Sequence, residues 1–352
     1  DFFNLPIHAW FALYKRDLPW RNTKDPYLIW LSEIILQQTR IDQGTSYFLK
    51  FANELPTVLH MANAPEDRIL KLWQGLGYYS RARNMHASAL WIAKHNQGRF
   101  PNNYKDILAL KGVGEYTAAA IASISFNLEY PAVDGNVYRV LSRFFGIFEP
   151  VDTSKGKKIF SELAKELIKG TDPGMHNQAV MEFGALQCTP KKPDCSQCPV
   201  SEKCYAFANG KVAELPVKQN KTKQRERFFN YLIFSGQEYL YIRQRTGDDI
   251  WKNLYEFPMI ETEGPQPAEA LIRETEFGNL IAESGAVVIE KISQWKIHLL
   301  SHQRIHYRFI HVRPENDFFP GPLLKRVIKE DIFNFAVPRL LENYLNEYLQ
   351  QD

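Results

Sequence analysis

The stretch YKDILALKGVGEYTAAAIASISF, residues 104–126, places Lys111-Gly112-Val113-Gly114 between two runs whose apolar residues recur every three or four positions. That spacing predicts helix, turn, helix. Two glycines let the chain fold back tightly, and the amides that open the second helix then point outward with no acceptor of their own. Such a corner can hold an anion, a phosphate above all, without any basic side chain, although helix corners also use glycine for turning alone. The same grammar continues outward: Asp25-Pro26 opens YLIWLSEIILQQ, Ala64-Pro65 opens EDRILKLWQGLG, and Thr153 opens KGKKIFSELAKELIKG. Residues 1–210 read as helices joined by short turns, nearly without strand signals.

After Pro216 the texture changes. VKQNKTKQRER carries Lys218, Lys221, Lys223, Arg225 and Arg227 against the single acid Glu226, either a solvated tether or a basic strap for phosphate. Beyond 227, FFNYLIFSGQEYLYIRQR and IHYRFIHVR alternate apolar and polar residues as half-buried strands do, with Ser235-Gly236 at a turn. PAEALIRETEF, residues 267–277, is the expected helix of this part, and Pro338 opens a last one through RLLENYLNEYL. The expected division is a helical domain over 1–216, a basic linker over 217–227 and a mixed α/β domain over 228–352.

A chain of 352 residues can bury two cores, and 45% apolar content excludes a disordered tail protein. With 43 Lys and Arg against 40 Asp and Glu, the net charge is only +3, so a nucleic-acid surface must be a local patch. No run approaches the roughly 18 apolar residues of a membrane span, and DFFNLPIHAWFALYKRDLPW lacks the basic and apolar regions of a secretory signal. All four cysteines fall between 188 and 204, unlike a spread disulfide framework, so a reducing, intracellular compartment is expected.

Cys188, Cys195, Cys198 and Cys204 are spaced CX6CX2CX5C. Four thiolates this close in sequence can converge on one centre, either tetrahedral zinc or a cubane iron–sulfur cluster. Structural zinc sites usually carry two close pairs and this run has one, which favours [4Fe-4S]. Two carboxylates also stand out. Glu33 lies in a helix with Ile29, Trp30, Leu36 and Gln37 three and four residues away, so it must be paired with an arginine or protonated. Burial raises a carboxyl's pKa toward what a general acid needs. Asp134 precedes the helical run GNVYRVLSRFFG, where an aspartate is an N-cap by default. The positive end of that helix also favours its ionised form, which suits a cationic transition state.

Taken together, LKGVGEYTA at 110–118, Asp134 twenty residues after Gly114, and CX6CX2CX5C resemble the helix-hairpin-helix DNA glycosylases that carry an iron–sulfur cluster. LPWR at 18–21, WLSEIILQQTR at 30–40 and GLGYYSRARN at 75–84 narrow the likeness to the adenine DNA glycosylases of the MutY family. It covers essentially the whole chain, most specifically residues 17–204. The resemblance implies an all-α helix-hairpin-helix glycosylase domain with a [4Fe-4S] loop, followed by an α/β Nudix-like domain. It implies an enzyme that flips adenine mispaired with 8-oxoguanine or guanine out of duplex DNA and hydrolyses its N-glycosidic bond.

By that resemblance Glu33 protonates adenine N7, Asp134 stabilises the oxocarbenium-like sugar, and Asn136 and Tyr116 position the aspartate and the reacting centre. Trp20, Arg21, Leu36 and Glu182 would form the adenine pocket. Gln38 and Tyr78 would be the wedge beside the lesion, Gln37 and Thr39 further strand contacts, and Gly112, Val113 and Gly114 the phosphate-binding turn. Ser301 and His302 would read 8-oxoguanine, and Leu300 stands where the family has phenylalanine, keeping apolar bulk but losing a ring. Endonuclease III, the bifunctional relative, has a Schiff-base lysine where this chain has Tyr116, so lyase activity is expected to be poor. EALIRETEFGN lacks the glutamate-rich pattern with which Nudix hydrolases hold Mg²⁺, so nucleotide hydrolysis is not expected. The resemblance also implies duplex DNA as partner, a monomer as the acting form and no membrane. The compartment would be cytoplasmic in a bacterium, nuclear or mitochondrial in a eukaryote.

Overall fold

The computed structural model describes residues 2–219, 224–234, 238–271, 287–314 and 324–349. It divides into two units, Asp1–Ala64 with Asn84–Asn220, and Pro65–Arg83 with Lys221–Asp352. The first holds α1 (Asn4–Tyr14), α2 (Pro26–Leu36), α3 (Ile41–Glu54) and α4 (Val58–Asn63). After α5 (Glu66–Trp73), which belongs to the second unit, α6 (Ser80–Asn96) crosses the dividing line. The first unit then continues through α7 (Tyr104–Leu108), α8 (Glu115–Phe126), α9 (Gly135–Phe145), α10 (Ser154–Ile168), α11 (Pro173–Leu186) and α12 (Tyr205–Ala208). Among the described residues no helix is long and apolar enough to cross a membrane.

Local chemistry sets where these helices start. Asp25 accepts the Tyr27 amide at 2.8 Å with Pro26 in the first turn, Asn103 accepts Asp106 N at 3.0 Å, and Thr153 accepts Gly156 N at 3.0 Å. Each satisfies one of the orphan donors of a helix start. At the expected Ala64-Pro65 opening, α5 begins at Glu66 without a side-chain cap. α8 is buried from Thr117 to Ile124, and its small alanines let α2, α7 and α11 pack closely around it. Phe3 at the N-cap of α1 and Ile7, Trp10 and Phe11 within it meet Val140, Phe144 and Phe183 in the main core, each worth about 1.5–3 kcal/mol on burial. This packing holds the carboxylate-bearing helices α2 and α11 against the glycine hairpin's second helix.

In the second unit β1 (Arg225–Phe234) runs parallel to β7 (Gln303–Pro314), in register from Arg225↔Gln303 to Phe234↔Val312. β4 (Met259–Thr262) pairs antiparallel with β1, while β5 (Val287–Ile292) and β6 (Lys296–Leu299) pair antiparallel with β7. A smaller sheet sets β2 (Tyr239–Gln244) between β3 (Tyr255–Glu256) and β8 (Lys325–Ile328). α13 (Ala268–Leu271) packs into the core of Leu232, Phe234, Ile260, Ile310 and Val312, and α14 (Arg339–Leu349) closes the chain where Pro338 predicts a helix start. Residues 272–277 of the expected helix, the Ser235-Gly236 turn, Lys221 and Lys223 lie outside the described residues. α5 joins this unit through Lys71 Nζ to the Phe335 carbonyl at 3.2 Å and Gln74 Nε2 to Glu342 Oε1 at 2.8 Å.

One expectation is corrected. Arg227 is no part of a solvated tether or phosphate strap: it lies in β1, 5% exposed, paired with Asp249 and Glu261. A buried guanidinium must be matched by carboxylates, and these two come from elsewhere in the chain.

Candidate active site

A cavity of about 250 Å³ opens in the first unit between α2, α8, α11, the start of α9 and the turn at Pro19–Arg21. Trp20, Arg21, Glu33, Leu36, Thr39, Tyr116, Asp134, Asn136 and Glu182 all line it, although they lie up to 162 residues apart between Trp20 and Glu182. Gly44 of α3 has no Cβ, and one placed there would come within 2.6 Å of Leu36 Cδ2, so the glycine lets Leu36 seat against it. Trp20 stands edge-on to Phe48 at 5.3 Å.

Glu33 meets the cavity from α2, half-buried in its wall. No arginine pairs with it among the described residues. Burial pushes its pKa up to about 7, and the nearby Asp134 charge pushes the same way, while a hydrogen bond with Tyr116 pulls it back. The group is therefore shared between acid and carboxylate near neutrality, as a proton donor for chemistry at pH 7 should be. The Tyr116 hydroxyl also donates to Met181 Sδ at 3.3 Å.

Asp134 is an N-cap and a cavity carboxylate at once. Oδ1 accepts Val137 N at 2.8 Å and Oδ2 accepts Asn136 Nδ2 at 2.7 Å. Burial raises its pKa, and the cap bonds and the Arg139 charge oppose that shift without overcoming it. The helix end is thus a weaker influence than its position in the sequence suggests.

Glu182 behaves in the opposite way. Burial alone would raise its pKa, but donors from Arg16 and Arg21 hold it down to about 2. Arg16 escaped the sequence reading, as did Gln178 and Met181, which line the cavity with Glu182 and Ala185. Positions 178, 181, 182 and 185 share one face of a helix, so the periodicity around Glu182 was the signal.

A further arginine links this cavity to the cysteine run. Arg139, buried in α9, donates to Asn136 Oδ1 at 2.8 Å, to the Gly184 carbonyl at 2.6 Å and to the Cys188 carbonyl at 2.7 Å. One turn on, Arg143 Nη1 lies 3.4 Å from Cys188 Sγ. Cys188, Cys195, Cys198 and Cys204 line one small cavity walled by Val140, Phe144 and Phe183. Burial first, and then the neighbouring thiols, push Cys198 up to about 11. Among the described residues no group of three or more His, Cys, Asp or Glu is placed to hold a metal ion.

Other expected site residues lie away from the first cavity. Gly112 has φ +80°, and a Cβ there would fall 2.7 Å from Asn84 Cβ, so the hairpin requires this glycine. Val113 N closes the turn onto the Leu110 carbonyl at 3.1 Å, and Gly114 precedes α8 with no side-chain cap, leaving first-turn amides for another acceptor. Gln37 Nε2 reaches Thr117 Oγ1 at 3.3 Å, and Gln38 is exposed with φ +56°.

In the second unit Tyr78, also left-handed at φ +47°, donates to Ser301 Oγ at 2.7 Å, and Ser301 Oγ lies 3.1 Å from His302 Nδ1. Tyr78, Leu300 and His302 line a cavity of about 430 Å³ together with Trp251 and His298. Leu300 has aromatic neighbours in that wall.

Residues 31–169 match the HhH-GPD superfamily of base excision DNA repair proteins, and residues 230–347 match the NUDIX domain. The chain is 35% identical over 261 residues to an adenine DNA glycosylase of Buchnera aphidicola subsp. Schizaphis graminum, covering 74% of this chain and 75% of the relative. It is 40% identical over 208 residues to a Homo sapiens adenine DNA glycosylase, 56% of this chain and 38% of that one. Of solved structures, a thermostable thymine-DNA glycosylase superposes with a TM-score of 0.55 at 32% identity, over 58% of this chain and 95% of that one. A trapped endonuclease III–DNA covalent intermediate shares the fold with a TM-score of 0.51 at 20% identity, over 58% and 93%.

Proposed function

Because the chain belongs to the adenine DNA glycosylase family and so is a base-excision enzyme of the monofunctional N-glycosylase kind, we propose that it acts on adenine opposite 8-oxoguanine or guanine, with Glu33 as general acid and Asp134 as stabilising carboxylate. The observation that carries this reading is Glu33 itself, an acid held near neutrality in a cavity that also contains Asp134.

In this account adenine leaves the base stack and enters the 250 Å³ cavity between Trp20 and Leu36. Glu33 gives its proton to adenine N7, which turns a poor leaving group into a neutral one. Positive charge grows on the sugar as the bond to C1′ stretches, and the Asp134 carboxylate, oriented by Asn136, stabilises it. Tyr116 in place of an amine offers no Schiff-base nucleophile, so the strand stays intact. Glu182, fixed by Arg16 and Arg21, together with Gln178, presents hydrogen-bonding groups to the base.

Around this centre, residues 1–216 form the catalytic domain, apart from Pro65–Arg83, which group with the second unit, and 228–352 the recognition domain, the linker expected over 217–227 ending where β1 begins at Arg225. Gln37, Gln38, Thr39 and Tyr78 meet the strands, and the Gly112–Gly114 turn offers its amides to a phosphate. Ser301 and His302 read the opposite base. Cys188, Cys195, Cys198 and Cys204 would hold a [4Fe-4S] cluster, whose iron–sulfur bonds cross-link residues 188–204 and supply structure.

The test is incubation with a duplex carrying adenine opposite 8-oxoguanine, followed by hot alkali. Adenine release with strand breaks only after alkali is expected. Efficient borohydride trapping of an enzyme–DNA adduct, or no release of adenine, would refute the reading.

A further inference from the structure

The cavity of about 430 Å³ lies wholly within the second unit, and its wall includes Trp251 and His298, to which the functional reading gives no role. Trp251 is 8% exposed, yet its indole N–H donates to nothing among the described residues. A buried tryptophan ordinarily finds an acceptor for that proton. Its backbone is also unusual: φ is +60°, a left-handed conformation that a bulky residue adopts at a cost and keeps where the surrounding structure holds its ring in one place. Phe229 stands edge-on to the ring at 6.2 Å, and His298 is 5.9 Å away, tilted by 58°. His298 too has no hydrogen bond among the described residues. Burial lowers its pKa, so at pH 7 the imidazole is neutral and offers one donor and one acceptor.

The charges in the wall favour an anion. Arg83 and Arg339 line the cavity against one acid, Asp249, which Arg227 and Arg245 already engage. Arg83 spends one N–H on the Lys252 carbonyl at 2.8 Å, and Arg339 meets Glu342 at 3.0 Å in a surface pair of little strength. Glu66 and Asp248 stand near Arg83 but outside the wall. A ligand that satisfies these groups needs a flat ring for the aromatic side chains, acceptors and a donor on the edge of that ring, and a negative charge. A nucleotide has all three, and the volume falls in the range of small-molecule sites.

We propose that this cavity is a nucleotide pocket that takes a purine nucleoside monophosphate, its base against Trp251 and His298 and its phosphate toward Arg83. The indole N–H then gives its proton to a carbonyl or ring nitrogen of the base, and two fused rings cover more of the aromatic wall than one. The same chemistry comes from two sources, a free nucleotide or a nucleotide of a DNA strand. Only the second rests on the reading that sets Tyr78, Leu300 and His302 beside the lesion.

Calorimetric titration of the full chain with dGMP and with deoxyguanosine, in the wild type, Trp251→Phe and Arg83→Gln, tests the pocket. One saturable site for dGMP is expected. Phenylalanine keeps a ring and removes the N–H, so affinity should fall about fivefold, the loss of one neutral hydrogen bond. Arg83→Gln should weaken dGMP about tenfold and leave deoxyguanosine unchanged, a selective loss that poor folding cannot imitate. Should free dGMP not bind, the same variants are titrated with a duplex carrying adenine opposite 8-oxoguanine, and weaker binding in either one assigns the pocket to a nucleotide of the strand. A dGMP affinity that either variant leaves unchanged overturns the proposal, as does absence of dGMP binding together with wild-type duplex affinity in both variants. A wild type that releases no adenine would refute the functional reading alone, because the dGMP titration does not depend on it.

Discussion

Glu182→Gln removes the charge that Arg16 and Arg21 share. Glu182 is 2% exposed, and its carboxyl receives Arg16 N, Arg16 Nε and Arg21 Nη1, each at 2.9 Å. Despite burial these donors hold its pKa at about 2, against an ordinary 4.5. At 1.36 kcal/mol per pH unit, the folded state prefers the carboxylate by about 3 kcal/mol. Glutamine preserves the shape but leaves two guanidinium groups facing a neutral amide. The first unit should therefore lose about 3 kcal/mol at pH 7, at the lower edge of the ~3–5 kcal/mol seen when one partner of a buried pair is removed.

In urea, followed by circular dichroism and tryptophan fluorescence, the midpoint should fall by about 1–3 M for slopes of ~1–3 kcal/mol/M. The pH dependence has a definite sign. The folded pKa lies below the unfolded one, so the stabilisation is fully present above pH 4.5 and is lost as pH falls from 4.5 through about 2. The variant has no carboxylate to protonate there, so the two stability curves should converge in acid. Equal midpoints at pH 7, or curves that stay parallel into acid, would refute the reasoning.

Three further outcomes are expected. Gly112→Ala, which forces a Cβ against Asn84 in a left-handed turn, should cost about 1–3 kcal/mol in urea denaturation and weaken duplex binding in a fluorescence anisotropy titration; unchanged values for both would remove the hairpin from the DNA surface. His176, 3.0 Å from His8, is lowered by burial to about 4 from an ordinary 6.5. The unfolded chain thus takes up the proton first, stability should fall as pH drops from 6.5 toward 4, and His176→Gln should flatten the melting temperature across that window. Ser301→Ala with His302→Ala should cost about 1–3 kcal/mol of preference for 8-oxoguanine over guanine in paired rate measurements, while slow excision opposite guanine persists. Retention of the full preference would place lesion reading elsewhere.

What was legible in the sequence was local. Asp25 and Thr153 cap helices whose first amides lie two or three residues away, so neighbours alone define them. Glu33 was visible because a single charge interrupts an apolar helix, and the hairpin because Gly112 is needed for a left-handed turn. What stayed hidden depends on partners far along the chain. Arg139 gains meaning only when Gly184 and Cys188 arrive beside it, and Arg227 only with Asp249 and Glu261. α5 is visibly amphipathic, yet nothing in its pattern says that Phe335 and Glu342 meet its end. The sign of the Asp134 shift could not be read either, because a helix end is a local feature and desolvation is a property of the assembled cavity.

The central claim is that Glu33 delivers the proton that releases adenine. Its most direct test is the pH dependence of single-turnover excision in the wild type and in Glu33→Gln. A general acid works in its protonated form, so the wild-type rate should be half-lost near pH 7 and then fall about tenfold for each further pH unit. Glu33→Gln should lower the rate at neutral pH by at least ~10²-fold, erase that limb and leave lesion-duplex binding intact. A flat wild-type profile through pH 9, or a glutamine variant that turns over at the wild-type rate, would contradict the account.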